Sequence, residues 1–357
     1  MPRILLLGTG GIAGQHVEEF GAVPECRIVA CVDAVPGRAS AFAALHGIER
    51  SFESLDEALA AGGFDAAINA TPDGAHKATT LRMVAAGKHV FCEKPLAPNH
   101  ADALEMTEAA EAAGLINMVN LTYRNSPALQ QARSMVQAGE IGSLRHVEAG
   151  YRQSWLVAKS WGDWRVEEKW LWRLSSEHGS TGVLGDVGIH ILDFATYGAA
   201  DEVASLQADL VTFPKAAGNR IGDYTLDAND SVAMLARFGG GALATIVATR
   251  YATGNLNELT LVLHGTKGAL RVETDGKRSH LAACLGGAVD KAVWSTLPLE
   301  PVRRNARRFV DAVLSGENGD PSFRRAADMQ RLIDAAFQSD RVGRRVETAV
   351  PEARIAP

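Results

Sequence analysis

The apolar run Ile4-Leu5-Leu6-Leu7 leads directly into Gly8-Thr9-Gly10-Gly11-Ile12-Ala13, and this junction restricts the fold more than any other feature of the chain. An unbroken apolar run closed by glycine reads as a strand buried on both faces, as in a parallel sheet covered by helices. The glycines match G-x-G-x-x-G/A between a strand and the opening of a helix, within a unit of about thirty residues. The first glycine permits a tight turn, the second lets backbone approach a pyrophosphate, and small Ala13 allows the helix to pack on the strand. The helix N-terminus adds unpaired N–H groups for the phosphates. Asp33 ends the next β-rich run, about 20 residues on, where a carboxylate accepts the ribose hydroxyls of NAD. A 2′-phosphate would meet like charge there, which favours NAD over NADP. Arg38 keeps NADP open, since its guanidinium can turn onto a phosphate.

The same alternation continues. Strands expected at 65–70, 88–92 and 115–119 alternate with helices over 12–20, 36–46 and 100–113 and a helix ending at Ala86. This pattern means right-handed βαβ units and a doubly wound parallel sheet. Ligands bind at the carboxyl edge of such a sheet, so the segment Thr71-Pro72-Asp73-Gly74-Ala75-His76 is expected to border the cofactor. Glu93-Lys94-Pro95 follows a strand at the same edge. A lysine there can hydrogen-bond a substrate hydroxyl and stabilise alkoxide character; position alone leaves a solvated surface lysine equally open.

Near residue 122 the pattern changes. A helix is expected at 127–138, an alternating strand at 145–151, a tryptophan-rich loop at 155–172 and a helix at 183–197. Strands near 203–212, 230–238, 242–251, 258–264 and 269–273 follow, joined by glycine-rich turns, and argue for an antiparallel sheet. Helices return at 302–314 and 323–340. Two domains result, 1–122 for the dinucleotide and 123–357 for the substrate and for oligomerisation. Asp186 and His190 stand four apart in an apolar helix and so share a face. Histidine is a base near neutral pH, and a carboxylate beside it raises its basicity. A core histidine with a structural partner is the competing reading.

Three motifs together resemble the glucose–fructose oxidoreductase / inositol dehydrogenase / rhizopine catabolism (Gfo/Idh/MocA) family. They are Gly8-Thr9-Gly10-Gly11-Ile12-Ala13, Ala86-Gly87-Lys88-His89-Val90 running into Glu93-Lys94-Pro95, and Asp186-Val187-Gly188-Ile189-His190. The similarity covers nearly the whole chain, including Gly139-Glu140-Ile141-Gly142 and Phe337-Gln338-Ser339. The resemblance implies a Rossmann domain followed by an α/β domain whose large, mainly antiparallel open sheet joins subunits into a dimer or tetramer. It also implies NAD(P) and hydride transfer to or from a ring carbon of a sugar or cyclitol. Lys94, Asp186 and His190 fall on the family's catalytic lysine, aspartate and histidine. Glu93 and Asn120 fall in its cofactor region, and Tyr123, Arg124 and Arg173 where it places substrate contacts. One departure is Ser180-Thr181-Gly182, where three glycines often stand. An NADP-linked keto-sugar reductase, an NAD-dependent glycosidase and a non-catalytic dinucleotide-sensing regulator are the alternatives.

Composition narrows the partners. With 36 Lys+Arg against 42 Asp+Glu, net charge −6, the chain has no basic excess for nucleic acid or an anionic membrane. Its four cysteines show no zinc or disulfide spacing, so no metal is expected and a reducing, cytoplasmic setting is the simpler reading. No leader or membrane span is read from the sequence. Trp155, Trp161, Trp164, Trp170 and Trp172 crowd one segment; they can form a carbohydrate platform or fill a core or an interface.

Overall fold

The structure, a computed structural model, describes residues 1–348. The end of the second expected domain, 349–357, lies outside the described residues. The chain divides into two units: Met1–Leu121 with Arg303–Gln330, and Thr122–Val302 with the chain from Arg331 onward.

The first unit runs β1 (Arg3–Leu7), α1 (Ala13–Gly21), β2 (Arg27–Val32), α2 (Arg38–His46), β3 (Arg50–Phe52), α3 (Leu55–Ala61), β4 (Ala66–Asn69), α4 (His76–Ala85), β5 (His89–Cys92), α5 (His100–Ala112) and β6 (Asn117–Val119). Its strands form a sheet in the order β3-β2-β1-β4-β5-β6, with every neighbouring pair parallel. From β1 the chain first winds outward through β2 and β3, then returns to β4 on the other side. The carboxyl ends of β1 and β4 therefore flank the point where strand order reverses, the usual crevice for a ligand. Ile4, Leu5, Leu6, Ala66, Ala67 and Ile68 are fully buried, as strands covered on both faces require.

The return of Arg303–Gln330 to this unit departs from the expected division at residue 122. The reason is apolar burial: Ala306, Phe309, Val310 and Ala312, on α9 (Asn305–Ser315), belong to the same buried cluster as Phe20, Phe91 and Met118. A pattern read along the chain carries no sign of such a long-range return. Asn305 also donates to the Asn120 side chain and to the Leu121 carbonyl.

The second unit contains α6 (Pro127–Gln137), β7 (Leu144–Gln153), α7 (Glu168–Leu171), α8 (Ile189–Ala199), β8 (Val203–Val211), a β9–β10 ribbon (Arg220–Ile221 and Tyr224–Thr225), β11 (Ser231–Phe238), β12 (Leu243–Thr249), β13 (Asn257–Gly265), β14 (Gly268–Thr274), β15 (Ser279–Leu285), β16 (Ser295–Thr296) and β17 (Val346–Glu347). The helix α10 (Phe323–Val342) contains the division between units. Nine strands form a sheet in the order β16-β15-β14-β13-β7-β12-β11-β8-β17. All its pairs are antiparallel except β7 with β12. Strand β11 alternates buried and exposed residues, the mark of a sheet with one covered face. Helices α6 and α8 cover that face, and α8 approaches so closely that a Cβ on Gly198 would lie 2.4 Å from Leu261.

The expected elements recur within a few residues. The short β3 and α3, and β15 with its Ala282-Ala283 centre, were not anticipated; alanine and three-residue strands carry little β signal.

Candidate active site

In the first unit the loop after β1 is shaped by backbone proximity. Gly8 has φ +90°, and a Cβ there would lie 2.5 Å from the Ala70 carbonyl oxygen, so only glycine fits between the ends of β1 and β4. Gly10 and Gly11 differ: a Cβ on either would meet nothing within 4 Å. The fold does not itself require glycine there, whereas close backbone approach of a ligand does. Helix α1 opens after Ile12 with no side chain capping its first turn; the Ala13, Gln15 and His16 amides bond to the Gly10 and Ile12 carbonyls, and the positive end of the helix dipole faces the glycine loop, which favours an anion there. Asp33, at the end of β2, accepts from the Thr9 amide at 2.9 Å and the Thr9 hydroxyl at 2.8 Å. Its other oxygen accepts from the Val35 amide at 2.9 Å, and Arg38 Nη1 lies 3.7 Å away. Burial opposes the charge, but these donors and Arg38 outweigh it and hold the carboxyl below its ordinary pKa. A carboxylate has about four acceptor positions; Thr9 and Val35 fill three of them, so Asp33 keeps one for a ribose hydroxyl. This cradle fits an NAD-type dinucleotide.

At the ends of β4 and β5, Asn69 is fully buried. Its Oδ1 accepts from the Thr71 hydroxyl at 2.8 Å, and its Nδ2 donates to Thr79 and Thr80 on α4. Glu93 Oε1 accepts from Asn120 Nδ2 at 2.7 Å and stands at ion-pair distance, 2.9 Å, from Nε2 of the buried His16. Burial alone would raise the Glu93 pKa; His16, Asn120 and the neighbouring Lys94 charge overcome it and bring it to about 2. Glu93 and Asn120, both expected at the cofactor, thus bond to each other and brace the backbone leading into Lys94. His76 is fully buried, with Nδ1 2.8 Å from the Pro95 carbonyl and Nε2 2.9 Å from the Thr71 carbonyl. Both edges of the ring are closed by backbone, which departs from its expected place as a direct cofactor contact. Burial would lower its pKa, but Cys92, Asp73 and the Pro95 carbonyl raise it to about 10.

In the second unit Asp186 lies in a wide π-type turn, Leu184–Gly188, that leads into α8. Such turns are frequent at functional positions. Asn229 shapes the entry: its side-chain oxygen accepts from the Leu184 amide at 3.0 Å and its Nδ2 donates to the Thr181 carbonyl. Gly182, at φ +70°, leaves room for Asn229, which a Cβ would approach to 2.3 Å. Arg250, fully buried, donates through Nη2 to Asp186 Oδ2 at 3.0 Å and through Nη1 to the Arg173 carbonyl at 3.1 Å. A buried cation beside it favours Asp186 as the carboxylate. His190 is mostly buried, and the Tyr123 and Tyr151 rings meet it edge-on at 5.0 and 6.3 Å between centroids. Asn257 Nδ2 donates to Tyr123 Oη at 2.9 Å, and Tyr151 Oη donates to Asn257 Oδ1 at 2.8 Å. The two phenols lie 2.6 Å apart, so the Tyr123 hydroxyl donates to Tyr151 and closes a ring of hydrogen bonds. Burial first, then Tyr123, drives the Tyr151 pKa well above its ordinary value.

Two expected substrate residues are engaged within this unit. Arg124 is almost fully buried; its Nε and Nη2 each reach an Asp193 oxygen at 2.6 Å. The Tyr197 ring covers it at 3.5 Å. Arg173 donates to the Lys169 carbonyl and lies over Trp172 at 4.4 Å. The tryptophans mostly pack on one another: Trp155 and Trp164 are buried with Leu156, Leu171, Leu174 and Leu226, and Trp170 stacks on both Trp155 and Trp161. Arg250, Asn229, Asn257 and His16 escaped the sequence reading. Arg250 reads there as a charge ending an ordinary alternating strand, and Asn229 as part of a loop. Among the described residues no His/Cys/Asp/Glu group is arranged to hold a metal ion.

Comparison with known proteins agrees with both halves. Residues 2–121 match the Gfo/Idh/MocA family described as "Oxidoreductase family, NAD-binding Rossmann fold", and residues 129–271 match its C-terminal domain. The chain is 30% identical to 1,5-anhydro-D-fructose reductase of Ensifer adhaerens, over 76% of this chain and 75% of that protein. It is 27% identical to inositol 2-dehydrogenase of Rhizobium meliloti, over 97% of this chain and 99% of that one. The solved structure of a levoglucosan dehydrogenase in complex with NADH superposes with TM-score 0.86 at 25% identity, over 98% of this chain and 100% of the other.

Proposed function

Since the chain belongs to the Gfo/Idh/MocA family of NAD-binding oxidoreductases, we propose that it oxidises a secondary hydroxyl of a sugar, sugar derivative or cyclitol and prefers NAD to NADP. Asp33 supports the preference: an ionised carboxylate at the end of β2, already fixed by Thr9 and Val35, suits ribose hydroxyls and repels a 2′-phosphate.

The observation that carries the chemistry is the Arg250–Asp186 pair. A fully buried guanidinium is held against a carboxylate that keeps 31% of its side chain exposed, which fixes the carboxylate without hiding it. Gly8, Thr9, Gly10, Gly11, Ile12 and Ala13 would hold the pyrophosphate and Asp33 the ribose; when bound, the nicotinamide supplies the hydride acceptor. His190 takes the proton of the reacting hydroxyl as general base. Asp186 orients His190 and holds a neighbouring substrate hydroxyl. The Lys94 ammonium hydrogen-bonds the reacting oxygen and stabilises its developing negative charge. Tyr123, set by Asn257 and Tyr151, lines the substrate beside His190. In the reverse direction the same groups reduce a keto-sugar.

The test is an absorbance screen at the NADH band against sugars and cyclitols, with levoglucosan and myo-inositol among the first. Steady NADH accumulation supports the dehydrogenase and argues against a glycosidase that only oxidises transiently. Tight NADH binding without turnover across the panel would sink the reading in favour of a dinucleotide-sensing regulator. We also propose that the protein is a homo-oligomer joined through the outer face of the nine-stranded sheet, where Leu235 and Leu243 are exposed. A monomer by light scattering would overturn that. No helix of the described residues is long and apolar enough to cross a membrane.

A further inference from the structure

His76 presents an unusual demand for protons. Its two ring nitrogens face two backbone carbonyls, Pro95 O at 2.8 Å and Thr71 O at 2.9 Å. A carbonyl only accepts, and a neutral imidazole carries a single N–H. The neutral ring would therefore press one nitrogen lone pair against a carbonyl oxygen in a fully buried site, where an unmet polar contact is costly. Only the imidazolium satisfies both. The ionisable groups facing the ring are Cys92 on β5 and Asp73 in the turn before α4.

The two carbonyls belong to the two loops that frame the expected site. Thr71 lies in the loop after β4, and its hydroxyl is already fixed by Asn69. Pro95 directly follows Lys94. On the other side of Lys94, Glu93 is fixed by Asn120 and His16. The backbone on both sides of Lys94 is thus anchored, by a carboxylate before it and by the His76 ring after it. His76 itself starts α4, and its own carbonyl lies within 3.4 Å of Asn69 Nδ2.

We propose that His76 is a permanently protonated brace, a positioning residue that ties the β4 loop to the Lys94-Pro95 loop and so sets the Lys94 ammonium for catalysis, without itself binding the dinucleotide. The proposal rests on the reading of Lys94 as the group that acts on the reacting oxygen.

Two measurements test it. In 15N-labelled wild-type protein, with the His76 signals assigned from their loss in His76→Gln, both ring nitrogens should stay in the protonated range past about pH 8, well above the ordinary histidine pKa. A single unprotonated nitrogen at that pH overturns the brace, and this readout needs no variant that folds poorly. Second, His76→Phe should bind NADH within about threefold of wild type yet lose about tenfold or more in kcat, on the sugar or cyclitol identified by the screen, with KM little changed. His76→Gln, which can donate to one carbonyl, should recover part of the loss. Weakened NADH binding with full kcat would make His76 a cofactor ligand instead. An active Lys94→Ala would remove the underlying catalytic reading, whereas an inactive Lys94→Ala beside a fully active His76→Phe would remove only the brace.

Discussion

The two units assemble their candidate groups in different ways. In the first, the loops after the strands are tied largely by near partners: Thr71 is held by Asn69 two residues away, and His76 spans five residues to Thr71 and 19 to Pro95; the contact of Glu93 with His16, far back on α1, is the long-range exception at that edge. In the second, partners are remote: Arg250 and Asp186 are 64 residues apart, Arg124 and Asp193 are 69, and Asn257 and Tyr123 are 134. The contrast follows from topology. Parallel βαβ winding delivers successive strand ends to one edge, so the loops that follow them meet without further help. A mostly antiparallel sheet sends consecutive strands in opposite directions, so side chains from elements distant in the chain meet through buried ion pairs and hydrogen bonds.

This difference predicts that substitutions in the first unit mainly alter catalysis and binding, while those in the second strike stability as well. The largest effect is expected from Lys94→Ala: turnover falls by about 10² to 10³-fold, as when one stabilising donor is lost, while NADH binding and the melting temperature stay near wild type. A collapse of the fold in this variant would break the contrast. Arg250→Met leaves Asp186 without its buried cation and should cost about 3 kcal/mol of stability in urea titration, together with a large loss of turnover. Replacing both members, Arg250→Met with Asp186→Leu, should restore stability but not activity, and a double variant as unstable as the single one would deny that the pair couples.

Gly8→Ala marks where the comparison breaks, since the close approach of the β1 and β4 ends makes this first-unit position a matter of stability. At φ +90°, with the Ala70 carbonyl 2.5 Å from the new Cβ, it should cost about 1–3 kcal/mol through backbone strain. Unchanged thermal stability would show that the β1 and β4 loops can part. Asp33→Ala should weaken NAD by about tenfold, the value of a hydrogen bond to a charged group, with less effect on NADP. Equal losses for both dinucleotides would remove Asp33 from the choice between them. Acid probes the first unit in another way. Glu93 has its pKa lowered from 4.5 to about 2, so its contribution is present above pH 4.5 and lost as pH falls toward 2. Glu93→Gln should flatten this part of the acid unfolding curve; a curve of unchanged slope would mean that the carboxylate is not held so tightly.

What could be read in advance follows the same division. Ile4–Leu7, the glycine loop and Asp33 announced the parallel sheet and its cradle, because strand burial, turn geometry and charge at a strand end are local properties. Asp186 and His190 were visible through their helical spacing, though the wide turn that carries Asp186 was not. Arg124 shows the limit. Its position invited a substrate contact, yet Asp193 and Tyr197 enclose it, and nothing in the residues around Arg124 points to partners so far downstream.

The linear order of residues was enough for the class of fold, the dinucleotide cradle and the short list of ionisable groups, since periodicity and motif spacing act over one or two elements. Three-dimensional packing settled the rest: the return of Arg303–Gln330 to the first unit, the pairing of Arg250 with Asp186, and the closure of His76 between two carbonyls. Burial and ion pairing depend on which groups meet in space, and that is a property of the assembled chain.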